Sequence, residues 1–248
     1  MTAADRTDGP DHAARRAEIA DNLVAVEDRI AAACSAAGRA RSGVTLVAVT
    51  KTFPASDVGH LAALGVRDIG ENRDQDAAGK VAECERAGVR DLRWHFVGQL
   101  QRNKAGSVAT YAHVVHSVDR ARLVTALDRA AAAADRSVVA LVQVDLRADP
   151  IDDGRGGTAP ADVEALAGAV AAAGHLDLGG VMAVAPMGED PAAAFARLAE
   201  VAERLRRDHP SAAVVSAGMS SDLEVAVEHG ATHLRVGTAL LGSRPPLR

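Results

Sequence analysis

The chain is poor in aromatic residues. Phe, Trp and Tyr make up 2% of its 248 residues, with a single Trp and a single Tyr. That is too few for a platform on which bases stack, and it leaves the core to be built from Ala, Val and Leu. No basic patch interleaved with aromatics stands out, and the net charge is −5, from 28 basic and 33 acidic residues. Both facts argue against a nucleic-acid partner. Cysteine is nearly absent. Cys34 and Cys84 fall in expected helices without metal-type spacing, which fits a reducing cytosol and argues against a disulfide framework. No apolar run approaches the roughly 20 residues of a membrane span. The first residues are polar and lack the apolar segment of a signal peptide, so 1–12 is expected to be a disordered tail and 13–248 one domain.

What is present is alternation. A first helix is expected over 13–37, where Ile19, Leu23, Val26 and Ile30 recur at helical spacing and Gly38 ends the pattern. Apolar strands come next, near 44–50, 66–70, 93–97, 113–118, 138–146, 179–185, 212–217 and 232–237. Amphipathic helices are expected between them at 55–64, 73–87, 120–134, 160–173, 191–207 and 221–229, and a shorter segment at 100–109. Strand–helix alternation implies parallel pairing with crossover helices. Eight such units in this length match an α/β fold of the single-domain (β/α)8 TIM-barrel type. A doubly wound sheet is the competitor, but it lacks a glycine-rich turn after the first strand. The leading helix is then an extra element outside or across the barrel.

Chemistry in such a barrel gathers at the C-terminal ends of the strands. The first strand runs straight into Lys51, inside Thr50-Lys51-Thr52-Phe53-Pro54. Lysine is a poor choice for a core strand end unless its amine has a task. In partly apolar surroundings it can be neutral and nucleophilic, ready to form a Schiff base with an aldehyde such as pyridoxal phosphate. A second signal lies after strand seven, where Ser216-Ala217-Gly218-Met219-Ser220-Ser221-Asp222 leads into a helix. Ser221 and Glu224 read there as a capping box. Gly218 and free N–H groups at a helix start suit an anion, and Gly237-Thr238 offers a similar turn after strand eight. Loops seven and eight of a barrel often hold phosphate. Arg235 precedes that turn and could face the nitrogen of a pyridine ring. A permanent cation there weakens the ring as an electron sink. His95, His113, His116, His229 and His233 have no metal-binding spacing and read as surface or supporting groups. The glycine-rich run Asp152–Gly157 lacks the Lys-Ser/Thr ending of a P-loop and reads as a flexible loop.

Six motifs in register, from Val44 to Gly242, resemble the pyridoxal phosphate homeostasis proteins (the YggS/PROSC family). They are Thr50-Lys51-Thr52, Gly70-Glu71-Asn72, Trp94–Gly98, Leu100–Lys104, Ser216 with Gly218-Met219-Ser220 and Asp222, and Arg235–Thr238 with Leu241-Gly242. The resemblance implies a barrel like the N-terminal domain of alanine racemase. It implies pyridoxal 5′-phosphate (PLP) held as an internal aldimine on Lys51. It also implies phosphate contacts from Ser216, Gly218, Met219, Ser220, Gly237 and Thr238, Arg235 at the ring nitrogen, and Asn72 and His95 lining the cofactor. Three positions depart from the family pattern: Arg73, where Tyr is common, Gln99, where Pro is frequent, and the Asp152–Gly157 loop, which lacks a lysine.

The function implied is intracellular PLP homeostasis or carriage rather than robust catalysis, in a cytoplasmic monomer, with PLP-dependent apo-enzymes as possible recipients. The alternatives are a racemase of the alanine racemase type and a Schiff-base aldolase. The related racemases take one base from a tyrosine of a second, β-rich domain. With Arg248 close behind the eighth strand, no such domain is expected, and Tyr111 is expected at the opposite mouth.

Overall fold

The chain is described by a computed structural model over residues 10–147 and 156–243. Residues 1–9 of the expected tail and Asp152–Arg155 of the expected loop lie outside those described. Helix α1 spans Pro10–Ala36, so residues 10–12 are helical where a tail was expected. The strands are β1 (Thr45–Val49), β2 (Asp68–Glu71), β3 (Arg93–Phe96), β4 (Val114–Val118), β5 (Val138–Gln143), β6 (Leu176–Met182), β7 (Val214–Ser216) and β8 (His233–Val236). They pair in sequence order, all parallel, and β8 closes onto β1 with Val47 opposite Arg235. The connecting helices are α2 (Ala55–Ala63), α3 (Asp74–Arg86), α4 (Ala105–Tyr111), α5 (Ala121–Ala133), α6 (Val163–Ala171), α7 (Pro191–Asp208) and α8 (Leu223–Glu228). A short α9 (Thr238–Leu241) comes after β8. The sequence pattern predicts no helix there, because four residues are less than a period can reveal.

The strands are apolar on both faces because a parallel barrel is covered outside by helices and filled inside by side chains. The sixth strand starts three residues earlier than its sequence suggests. Gly179, expected to open the strand, and Gly180 instead sit mid-strand, where the register with β5 shifts between Ala140 and Leu141. Gly180 has φ +143°, and a Cβ there would lie 2.0 Å from the Val214 carbonyl oxygen. The glycine permits an irregular rung rather than ending the strand.

Helix α1 lies outside the barrel against α2, α8 and α9. Ile19, Val26, Ile30 and Cys34 form its buried stripe. Its polar side chains reach the loops beyond β7 and β8. Arg29 donates to the Ser220 carbonyl at 3.0 Å, Asn22 to the Leu240 carbonyl at 3.1 Å and Arg15 to the Leu241 carbonyl at 3.0 Å. The added helix thus fixes from outside the strand ends that the sequence marks for chemistry.

Two polar systems interrupt the core. The first ties β1 to β2. Lys80 of α3 is buried and donates to the Thr50 carbonyl at 2.7 Å. It also pairs with Glu71 Oε1, which accepts the Thr50 hydroxyl at 2.5 Å. One ammonium group therefore binds the residue before Lys51 and the residue before Asn72. The second system runs through the barrel interior and contains Asp68, His95, His116, Ser216 and Arg235, each buried. His233 packs against His95 with ring centroids 6.3 Å apart.

Each system has its own stability test. Lys80→Met leaves Glu71 buried without its cation and is expected to cost about 3–5 kcal/mol. The double variant Lys80→Met/Glu71→Leu recovers part of that in urea unfolding. Equal midpoints for wild type and Lys80→Met would refute the clamp. Burial pushes His95 down, His116 well down, and His233 down to about 4, with the neighbouring imidazoles adding to the effect on His116 and His233. Asp68 works against this for His95 and His233, and Arg93 and Arg235 work with it. The unfolded chain then binds more protons than the folded one between about pH 4 and the free histidine value of 6.5. Stability therefore rises with pH across that window and levels off above it. Urea midpoints that match at pH 5 and pH 7.5 would contradict this.

Candidate functional site

Lys51 is partly buried and opens the turn beyond β1. The next residue, Thr52, has φ +71°. A β-branched residue holds that conformation at a cost of order 1–3 kcal/mol and keeps it only where its surroundings over-determine it. Here the Thr50 N–H donates to the Gly70 carbonyl at 2.9 Å, the Phe53 N–H donates to the Thr50 carbonyl at 3.0 Å, and Lys80 holds the same carbonyl. The direction of Lys51 is set by β1, β2 and α3 together.

Across the mouth, β7 ends at Ser216 and the chain turns at Gly218, with φ +87°. A Cβ there would stand 2.6 Å from the Ala226 Cβ of α8, so glycine lets the helix close onto the strand. The capping box expected at Ser221 and Glu224 does not form. Helix α8 starts at Leu223. Asp222 turns back to accept the Met219 N–H at 2.6 Å, and Glu224 pairs with Arg29 at 2.8 Å. A guanidinium from a remote helix makes charge-assisted bonds that outcompete a local neutral N–H. The Arg29 hydrogen bond holds the Glu224 carboxyl below its ordinary value. As a result the backbone N–H groups of Ser220 and Ser221 have no acceptor among the described residues. The Ser220 hydroxyl accepts from the Ala239 N–H at 3.2 Å, which joins the loop after β7 to α9.

These elements enclose a cavity of about 410 Å³, lined by Lys51, Asn72, Met219, Ser220, Arg235, Gly237 and Thr238 among others. The lining holds two cations and several hydroxyl and amide donors. No carboxylate lines it among the described residues. That donor set fits a phosphorylated ligand with an electrophilic carbon within reach of an amine. A larger hollow of about 710 Å³ opens between α1, α2 and α3, with six alanines on its walls beside His12, Arg16, His60, Glu83 and Cys84. No lysine is among its described lining residues, and Glu83 opposes an anion there.

Three of the residues expected at the ligand sit elsewhere. Ser216, Gly218 and His95 are buried and do not line the cavity. They form its foundation. Arg235 donates to Ser216 Oγ at 2.6 Å and to the Ala183 carbonyl at 2.9 Å. Ser216 Oγ lies 2.9 Å from His116 Nδ1, His116 Nε2 lies 2.9 Å from His95 Nδ1, and His95 Nε2 lies 2.8 Å from Asp68 Oδ1. His95 and His116 are therefore interior groups rather than surface ones. Sequence reasoning missed Lys80 and Asp68. Lys80 shares the buried stripe of α3 with Ala77, Val81 and Cys84, and a lysine on an apolar stripe is the signal that could have found it. Tyr111 ends α4 in the helical layer, against α3 and β3.

Comparisons with known proteins agree with the fold. Residues 22–245 match the alanine racemase N-terminal domain. The pyridoxal phosphate homeostasis protein of Mycobacterium bovis is 45% identical over 98% of each chain. The structure of PipY from Synechococcus elongatus with PLP bound is 35% identical, with a TM-score of 0.78, and covers 90% of this chain and 100% of that one. Alanine racemase from Corynebacterium glutamicum shares the fold alone, at 16% identity and a TM-score of 0.66, covering 94% of this chain and 63% of that one. A closed eight-stranded barrel with a lysine at the end of its first strand, matched over nearly its full length, places the chain in the family of pyridoxal phosphate homeostasis proteins.

Proposed function

We propose that this chain binds pyridoxal 5′-phosphate at the barrel mouth, covalently on Lys51, and serves PLP homeostasis or carriage rather than turnover. The observation that carries the reading is one cavity with Lys51 and Arg235 on its wall and no carboxylate among its described lining residues. When bound, PLP supplies an electrophilic carbonyl and a ring that can draw electrons from an attached amine. The N–H groups of Ser220 and Ser221 and the hydroxyls of Ser220 and Thr238 hold the phosphate. Met219 and Asn72 flank the ligand, and Gly237 lets the backbone approach it.

Arg235 faces the ring nitrogen. Burial pulls its guanidinium down to about 10, against the opposing pull of Asp222, so it stays a cation at neutral pH. A cation there leaves the ring nitrogen unprotonated and restrains electron withdrawal. A two-base racemase needs a second proton carrier. Among the described residues lining the cavity, Lys51 and Arg235 are the only titratable side chains, and no histidine, tyrosine, cysteine or carboxylate stands with them. The reading includes a cytoplasmic monomer that delivers PLP to PLP-dependent apo-enzymes. Among the described residues no helix is long and apolar enough to cross a membrane.

Borohydride reduction after incubation with PLP, with subsequent peptide mapping, is expected to place the pyridoxyl group on Lys51. Lys51→Ala abolishes that label. Equal label in the variant, or label scattered over surface lysines, defeats the assignment. Arg235→Gln exchanges the cation for a neutral donor and is expected to shift the absorption maximum of bound PLP. An identical spectrum would remove Arg235 from the ring.

A further inference from the structure

The chain of polar groups under the cavity has only one consistent arrangement of protons. At one end is Arg235, which can only donate; at the other is the Asp68 carboxylate, which can only accept. Four hydrogen bonds separate them. From the anion upward, His95 Nε2 must carry a hydrogen for Asp68. A neutral His95 then has a bare Nδ1, which accepts from His116 Nε2–H. His116 Nδ1 is bare in turn and accepts the Ser216 hydroxyl, whose oxygen accepts from Arg235. From the cation downward the answer is the same. Ser216 Oγ is fully buried and takes its second contact from His116 alone, so the hydroxyl hydrogen has one place to go.

An extra proton on either imidazole breaks this order. His116 would turn an N–H toward Ser216 Oγ, which already accepts from Arg235. The hydroxyl hydrogen would then be buried without an acceptor, at a cost comparable to a lost hydrogen bond. Burial of both rings favours the neutral forms. The groups facing the rings are Asp68, Arg93 through its 2.8 Å pair with Asp68, His233 and Arg235.

We propose that Asp68, at the N-terminal end of β2, is a positioning residue for the cofactor. Acting through His95, His116 and Ser216, it fixes the rotation of the Arg235 guanidinium near the C-terminal ends of the strands. The inference rests on the proposed PLP reading for its consequence, though the proton order itself does not. With Ser216 Oγ and the Ala183 carbonyl occupying one N–H of each terminal nitrogen, the remaining donors of Arg235 are aimed and cannot rotate away. Without the relay, Ser216 is free to turn, and the arginine loses one of its two anchors.

The first test needs no cofactor. Nitrogen-15 NMR of the histidines in the PLP-free chain at pH 7 is expected to show His95 and His116 as neutral Nε2–H tautomers. An Nδ1–H tautomer or an imidazolium at either ring overturns the relay. The second test compares wild type, Asp68→Ala, Asp68→Asn and Arg93→Ala for PLP affinity and for the absorption maximum of bound PLP as a function of pH. Asp68→Ala is expected to weaken binding about tenfold or more, the scale of one charge-assisted hydrogen bond, and to displace the spectral pH profile. Asp68→Asn, which keeps an acceptor, restores part of both. Arg93→Ala leaves every relay atom in place and is expected to give a smaller shift in the same direction. Unchanged affinity and spectrum in a folded Asp68→Ala, checked by urea unfolding, sink the proposal. If Asp68→Ala does not fold, an Arg93→Ala profile identical to wild type does so instead. Wild type that takes up no PLP while showing both expected tautomers defeats the cofactor reading and leaves the proton order standing.

Discussion

A closed barrel cannot tolerate an unpaired charge in its interior, and this one contains several charged groups. The constraint acts at each of them. Lys80 and Glu71 are buried together because neither could be buried alone. Arg235 can lie under a ligand cavity because its guanidinium has Ser216 and a carbonyl as fixed acceptors. At the surface, where this constraint does not act, Glu224 pairs with Arg29, while the buried Asp222 folds back to accept the Met219 N–H. The geometry of the mouth is what remains after each polar group has been satisfied.

The residues on the cavity wall are distinct from those that hold them in place. Lys51, Asn72, Ser220, Arg235 and Thr238 line the cavity. Lys80, Glu71, Ser216, His116 and His95 do not reach it, yet they determine where the first group stands. The strained turn at Thr52 belongs with them. A left-handed threonine persists because β1, β2 and α3 hold its neighbours on both sides, and it sets the position of the lysine before it.

Much of this was legible in the sequence. Eight apolar runs alternating with amphipathic ones lead to a barrel, and the residues at or just beyond the ends of those runs include Lys51, Gly218, Arg235 and Thr238. The features that were not legible depend on distance along the chain. Arg29 and Glu224 are 195 positions apart, so a local capping rule had no means of anticipating that pair. His116 and Ser216 are 100 positions apart, and each alone looks like an ordinary strand residue. The start of β6 was placed three residues late, at Gly179, because the exposed Asp177 interrupts the apolar run before it. Lys80 was hidden by the habit of assigning lysines on amphipathic helices to solvent.

In barrels of this kind the two mouths usually divide the labour, with chemistry at the C-terminal end and stability at the other. An interior filled with aliphatic side chains insulates one from the other. Here the filling includes a conductor. Arg93 and Asp68 stand at the floor of the molecule, where a substitution would ordinarily be scored for its effect on folding alone. On the proposed relay, the line of imidazoles above them makes that floor part of the electrostatic environment of the mouth. Variation at the base of the barrel therefore becomes a means of tuning the mouth without altering any residue that touches what is bound there.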